Sequence, residues 1–170
     1  MELSEAFYAG LSLVDTDTLK KASKDKEAFV ELYNVAVQNF AGPLVKDGQG
    51  NATKNSGVNK ISVKEGQSPN IKLYNDMAAA LSAVIGTRNI KRLSGIPEAV
   101  YLTGNKWNED VEQFQLDVKQ GFGMKDYNSS DVILRYGNTY AGISLKKKPT
   151  VTSASPTMIN NSFNTFLEGK

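Results

Sequence analysis

The sequence predicts an α/β fold: a small mixed central sheet flanked by helices, with a helical N-terminal extension before it. Three observations carry this expectation. Residues 129–148, SSDVILRYGNTYAGISLKKK, hold two runs of strand formers, Val132, Ile133, Leu134 and Tyr136, then Tyr140, Ile143 and Leu145, separated by Gly137-Asn138. A two-residue Gly-Asn connection between such runs is a strong hairpin signal. The tract 99–102, Ala-Val-Tyr-Leu, reads as a further strand. Elsewhere apolar residues recur at helical spacing in several separate stretches.

Taken in order, residues 3–14 read as a short amphipathic helix and 25–41 as a clearer one. In the second, Phe29, Leu32, Ala36 and Phe40 form one stripe, and Gly42-Pro43 stop it. Residues 47–68, rich in Gly, Asn, Lys and Ser, read as a mobile loop with a short strand at 60–63. Ser68-Pro69 suits a helix start, since serine caps and proline fits the first turn. Ile71, Tyr74, Met77, Ala78, Leu81 and Ile85 are the expected buried stripe of that helix, and Gly86 its expected end. Residues 107–119 read as a helix with Trp107, Val111, Phe114 and Val118 on one stripe, 121–128 and 149–156 as loops, and 157–168 as a last helix with Ile159, Phe163, Phe166 and Leu167 inward. The expected division is 1–95 as a helical N-terminal region and 96–170 as an α/β core.

Composition excludes whole classes of chemistry. The 170 residues suffice for one domain with a real core, and a hydrophobic content of 40% argues against disorder of the whole chain. There is no histidine and no cysteine. Within this sequence that removes cysteine nucleophiles, His-containing triads, zinc fingers and imidazole-ligated metals. A metal site would use oxygen donors, which favours Mg²⁺, Mn²⁺ or Ca²⁺. The opening MELSEAFYAG lacks a basic region followed by an apolar run, so no signal peptide is expected, and no run is long enough to span a membrane. The expected setting is cytoplasmic, including a viral protein in host cytoplasm.

The hairpin fixes a register. With Gly137-Asn138 as the loop, Tyr136 pairs with Thr139, and counting back sets Asp131 opposite Ser144. Side chains alternate across a strand, so Asp131, Ser144 and Lys146 are expected on one face and Val132, Leu134, Ile143 and Leu145 on the other. The first face would bring together a carboxylate, a hydroxyl and an amine. An ordinary edge hairpin accounts for the same residues, with lysines that discourage aggregation and an exposed Asp–Lys contact of little energy.

Asp131, followed on the next strand by Ser144-Leu145-Lys146, resembles the PD-(D/E)xK nuclease superfamily, over about residues 107–168. Two positions depart from its pattern. Ser130 stands where the family often has proline, and Ser144 where it usually has Glu or Asp. The resemblance implies a restriction-endonuclease-like core and metal-dependent cleavage of nucleic acid, DNA in first place, with phage among the expected sources. In that reading Asp131 is the central metal ligand, the carbonyl of Ile143 and the carboxylate of Asp110 are further ligands, and Ser144 and Lys146 complete the catalytic set. Asp110 on the helix before the hairpin is equally readable as a helix-start acid favoured by the macrodipole, and Glu31 is the alternative acid. Lys147 and Lys148, together with Arg88, Lys91 and Arg92, are the expected contacts to the phosphate backbone; solvated lysines at a strand end and a helix end are the alternative. Several nucleases of this type work as homodimers. The family core adds a strand after the helix that follows the lysine strand, so an exposed sheet edge or apolar patch near the C-terminus is also expected. The other class of function left open is a non-catalytic module that binds nucleic acid or protein, such as an inactive nuclease or a viral assembly component.

Overall fold

The structure is a computed structural model that describes residues 3–47, 61–102, 131–145 and 157–159. Among these, four helices and a five-stranded mixed sheet alternate: α1 (Leu3–Leu11), α2 (Thr16–Ala22), α3 (Lys26–Ala41), β1 (Val45–Lys46), α4 (Ile71–Arg88), β2 (Ala99–Leu102), β3 (Val132–Tyr136), β4 (Thr139–Leu145) and β5 (Thr157–Ile159). A 3₁₀ turn, Lys91–Leu93, lies between α4 and β2. The mixed α/β class is as expected. No helix among the described residues is long and apolar enough to cross a membrane. The predicted helix 107–119, the loops 121–128 and 149–156, and Phe163, Phe166 and Leu167 lie outside the described residues.

The sheet runs β1-β2-β3-β4-β5. Its only parallel pair among the described residues is β1 with β2, through Val45 opposite Val100. These two strands flank α4 in sequence, so they form a β-α-β unit, and a parallel pair needs such a crossover. The remaining pairs are antiparallel. The hairpin has the predicted register, Tyr136 opposite Thr139 through Val132 opposite Ile143. Gly137 makes the turn with φ at 62°, a conformation that L residues with a side chain adopt only at a cost.

β5 corrects one prediction. Residues 157–159 do not begin a helix; they pair with β4, with Ser144 opposite Met158 and Leu145 opposite Thr157. The helical reading rested on apolar spacing shared with residues further along. Over three residues that spacing does not separate helix from strand, and an open sheet edge provides hydrogen bonds that decide the matter. The side of β4 away from β3 is therefore paired at Ile143–Leu145.

The helices form their own layer against one face of the sheet. α1 is the centre of it: Ala6, Phe7, Tyr8, Ala9, Gly10 and Leu11 are all buried. An amphipathic helix was expected; Ala6–Leu11 is instead buried all round, because α3 and α4 both pack on it. Its small residues allow this. An added Cβ at Gly10 would lie on the carbonyl oxygen of Ala36 in α3, and 3.0 Å from its carbonyl carbon. Asn39 Nδ2 donates to Gly10 O at 3.1 Å across the same crossing.

α2 and α3 start on aspartate caps. Asp15 accepts from the Thr18 amide at 3.0 Å, and Asp25 from the Glu27 amide at 3.2 Å. The bond to Thr18 also holds the Asp15 carboxyl below its ordinary value. In α3 the predicted stripe is correct, with Tyr33 added and Gly42-Pro43 closing the helix. α4 differs in detail. Its cap is Asn70, accepting from the Leu73 amide at 2.9 Å, and not Ser68. It runs past Gly86 to Arg88 because its C-terminal part is anchored in the core. Its buried stripe is Leu73, Met77, Ala80, Leu81 and Val84, while Ile71 is 74% exposed and Ala78 also faces out. Of the strand expected at 60–63, Ile61 has helical geometry, is fully buried, and accepts a hydrogen bond from the Tyr33 hydroxyl.

One apolar cluster joins Ala6, Phe7, Leu32, Phe40, Met77 and Leu81 of the helices to Val100, Val132, Leu134 and Ile143 of the sheet. It spans the position at which the sequence suggested dividing the chain. A buried polar group sits inside it. Tyr8 Oη lies 2.6 Å from Thr87 Oγ1. Arg88 donates to Ser12 O at 2.6 Å, to Val14 O at 2.8 Å and to Thr16 Oγ1 at 3.0 Å. Burial raises Tyr8 well above its ordinary value and pushes Tyr136 to about 12. Tyr33 moves the same way.

These shifts predict alkaline sensitivity. In the unfolded chain the phenols ionise near 10.0, but in the folded protein they hold their protons higher. The unfolded state therefore binds fewer protons above that pH, so the stability these tyrosines contribute is present below about 10 and is lost as pH rises towards 12. Denaturant midpoints should fall across that window, with tyrosinate absorbance appearing in step with unfolding. Tyr136→Phe should make the fall shallower.

Candidate functional site

The hairpin positions the predicted site at the end of the sheet opposite its turn. β3 begins at Val132, and its ladder with β4 ends at the Val132–Ile143 pair. Asp131 stands just outside the ladder and is half-buried. It nevertheless makes two further links to β4. Its amide donates to Ile143 O at 2.8 Å, and its carboxylate Oδ2 accepts from the Leu145 amide at 2.7 Å. The side chain thus reaches across to the backbone of the Ser144-Leu145 segment. Charge-assisted bonds of this length are among the stronger ones in proteins.

Ser144 is half-buried on β4, opposite Met158 on its other side. Its neighbours on the same sheet face follow from strand alternation. They are Tyr140 on β4, Arg135 opposite Tyr140, and Ile133 and Tyr101 on the adjoining strands. This face is less open than the sequence suggested. Ile133, Tyr101 and Tyr140 are all buried, and Arg135 stacks 5.6 Å over the Tyr140 ring while donating to Gly137 O at 2.9 Å. A strictly amphipathic hairpin was expected; the sheet instead carries apolar bulk on both faces. The opposite face is as predicted: Val132, Leu134 and Ile143 are in the core and Leu145 packs against it.

Two proposed ligand atoms are already engaged in part. Ile143 O accepts from Asp131 N, and one Asp131 oxygen accepts from Leu145 N. Each keeps acceptor capacity, since a carbonyl has two lone pairs and a carboxylate about four. These donors and the Ser144 hydroxyl are hard oxygens, which suit Mg²⁺ or Mn²⁺ in kind. Among the described residues no three or more Asp, Glu, His or Cys side chains are grouped to hold a metal ion. Asp131 is the one carboxylate of the predicted set that is described; Asp110 lies outside, as do Lys146, Lys147 and Lys148. Glu31 is exposed on α3.

The basic cluster on the helical side divides. Lys91 and Arg92 are exposed on the 3₁₀ turn. Arg88 is not available to a phosphate backbone: it is 6% exposed, and its guanidinium is spent on the carbonyls that follow α1. The physical reason is position. At the end of α4, the 88 side chain falls on the core stripe, and carbonyls left unpaired after α1 supply acceptors there. Charge proximity in sequence did not reveal this; the Leu73–Met77–Leu81–Val84 stripe, continued at helical spacing, would have.

Comparison of the chain with protein-family models, with curated proteins and with solved structures yields no match.

Proposed function

We propose that the protein is a metal-dependent nuclease of the PD-(D/E)xK kind, hydrolysing phosphodiester bonds of nucleic acid, with DNA as the expected substrate. The observation that supports this reading is the Asp131 carboxylate, 2.7 Å from the amide of the central residue of Ser144-Leu145-Lys146. This bond ties an acid to the strand that carries Ser144-Leu145, with Lys146 next in sequence, and this chemistry uses an acid and a lysine segment on adjoining strands. A bound Mg²⁺ or Mn²⁺ supplies Lewis acidity and lowers the pKa of a coordinated water. Asp131, whose Oδ2 also accepts from Leu145, would be the principal ligand, with Ile143 O and Asp110 adding oxygens. Ser144 orients water by hydrogen bonding. Lys146 positions the attacking water and offsets charge that builds on the phosphate oxygens. Lys147, Lys148, Lys91 and Arg92 contact the backbone of the nucleic acid and give affinity without sequence information. A second reading, a non-catalytic binding module, is favoured by one residue, Ser144, whose hydroxyl replaces the usual carboxylate.

The test is cleavage of single- and double-stranded DNA and RNA with Mg²⁺ or Mn²⁺, and with chelator. Cleavage is expected with metal only. Asp131→Ala is expected to reduce it at least about a hundredfold, the several kcal/mol that metal-borne charge stabilisation supplies. Ser144→Glu restores an acid and is expected to tighten metal binding. Binding of nucleic acid without cleavage under any metal, with equal metal affinity in wild type and Asp131→Ala, selects the binding module instead.

A further inference from the structure

We propose that Asp131 is also a positioning residue, which fixes the end of β4 that presents Ser144 and leads into Lys146; only the catalytic consequence of this rests on the nuclease reading. β4 continues through Ser144 and Leu145 beyond its last pair with β3. On one side that extension pairs with Met158 and Thr157. On the other side Asp131 N donates to Ile143 O at 2.8 Å, and Leu145 N donates to Asp131 Oδ2 at 2.7 Å. These bonds bracket Ser144. The carboxylate takes the place in the ladder that a backbone carbonyl would fill, and it does so with a charged acceptor. Because a carboxylate has two oxygens, one holds the strand end while the other faces away from that bond. The residue that would bind a cation therefore also fixes the backbone on either side of Ser144.

The two roles separate by substitution. Asparagine keeps an oxygen that can accept from Leu145 but loses the charge; alanine loses both. The experiment is amide hydrogen exchange by NMR on the whole chain. Asp131→Ala is expected to speed exchange of the Leu145 amide by about tenfold or more, and Asp131→Asn to leave it within about threefold of wild type. In wild type, a through-hydrogen-bond coupling between the Leu145 amide nitrogen and the Asp131 carboxyl carbon is expected; this reading needs no variant and stands if Asp131→Ala fails to fold. Unchanged exchange in Asp131→Ala, exchange in Asp131→Asn as fast as in Asp131→Ala, or absence of the coupling overturns the proposal. Titration with Mg²⁺ alone tests the nuclease reading separately. The Leu145 amide resonance is expected to shift to saturation in wild type and to stay put in Asp131→Asn. No shift in wild type, with the exchange pattern and coupling intact, removes the metal site and leaves the positioning role established.

Discussion

Gly10→Ala is expected to destabilise the protein by about 3 kcal/mol or more, and Gly10→Val to prevent folding. Intrinsic propensity points the other way, since alanine in a helix is better than glycine by about 1 kcal/mol. The clash decides the sign. The new Cβ falls on the backbone carbonyl of Ala36, with the carbonyl carbon 3.0 Å and Cα 3.2 Å away. A backbone atom in a packed helix cannot swing aside as the tip of a long side chain can. α1 would have to move off α3, breaking the Asn39–Gly10 bond and loosening the packing of Phe7 on Tyr33. Ala36→Gly should not rescue the variant, because the obstruction is main chain. Gly86→Ala is the matched control: it lies on the exposed side of α4 with nothing within 4 Å of the added carbon. There the propensity term acts alone, and stabilisation by about 0.5–1 kcal/mol is expected. Urea or guanidinium denaturation of wild type and these four variants measures all of these.

Arg88→Ala is expected to cost about 3–5 kcal/mol, a large share of the roughly 5–15 kcal/mol by which domains are stable. The loss is not mainly of charge attraction. Ser12 O and Val14 O each lose their guanidinium donor inside the protein, and an unpaired buried acceptor costs about 1–3 kcal/mol. The link to Thr16, the first residue of α2, goes as well. Arg88→Lys should recover part of the loss, because an ammonium on a flexible stem can reach some of these acceptors but lacks the planar fork that meets them together. Lys91→Ala and Arg92→Ala, three and four residues on and exposed, should change stability by less than about 0.5 kcal/mol. Denaturant midpoints give the comparison directly. A small effect at Arg88 would mean that water replaces the guanidinium.

What could be read from the sequence was what local chemistry decides. Gly137-Asn138 between two strand-forming runs determines the hairpin register, and the tract from Ala99 to Leu102 lies between turn residues, so both were legible. What escaped reading depends on partners far along the chain. β1 is only Val45-Lys46, too short for any periodicity, and exists because β2 lies beside it. α2 is seven residues, announced by little more than the Asp15 cap. β5 exists through pairing with β4. Residues 3–14 looked amphipathic because Ser4, Glu5 and Ser12 interrupt the apolar residues, yet the helix is enclosed from two sides. At the candidate site, sequence reasoning set Asp131 opposite Ser144, but did not reveal that the carboxylate would bond to the Leu145 amide. Alternation predicts which way a side chain points only while the residue belongs to the strand, and Asp131 lies one residue before it.

The enclosed first helix has a consequence for how the chain is made. Phe7, Tyr8 and Leu11 are among the largest fully buried side chains, yet Tyr8 meets Thr87, and the carbonyls after α1 meet Arg88, only once α4 exists. At a synthesis rate of about 5–20 residues per second, the 77 residues separating Leu11 from Arg88 take roughly 4–15 s to appear. For that interval the side of α1 that packs on α4 is without its cover. The yield of soluble protein is therefore expected to respond to translation speed across α3 and α4.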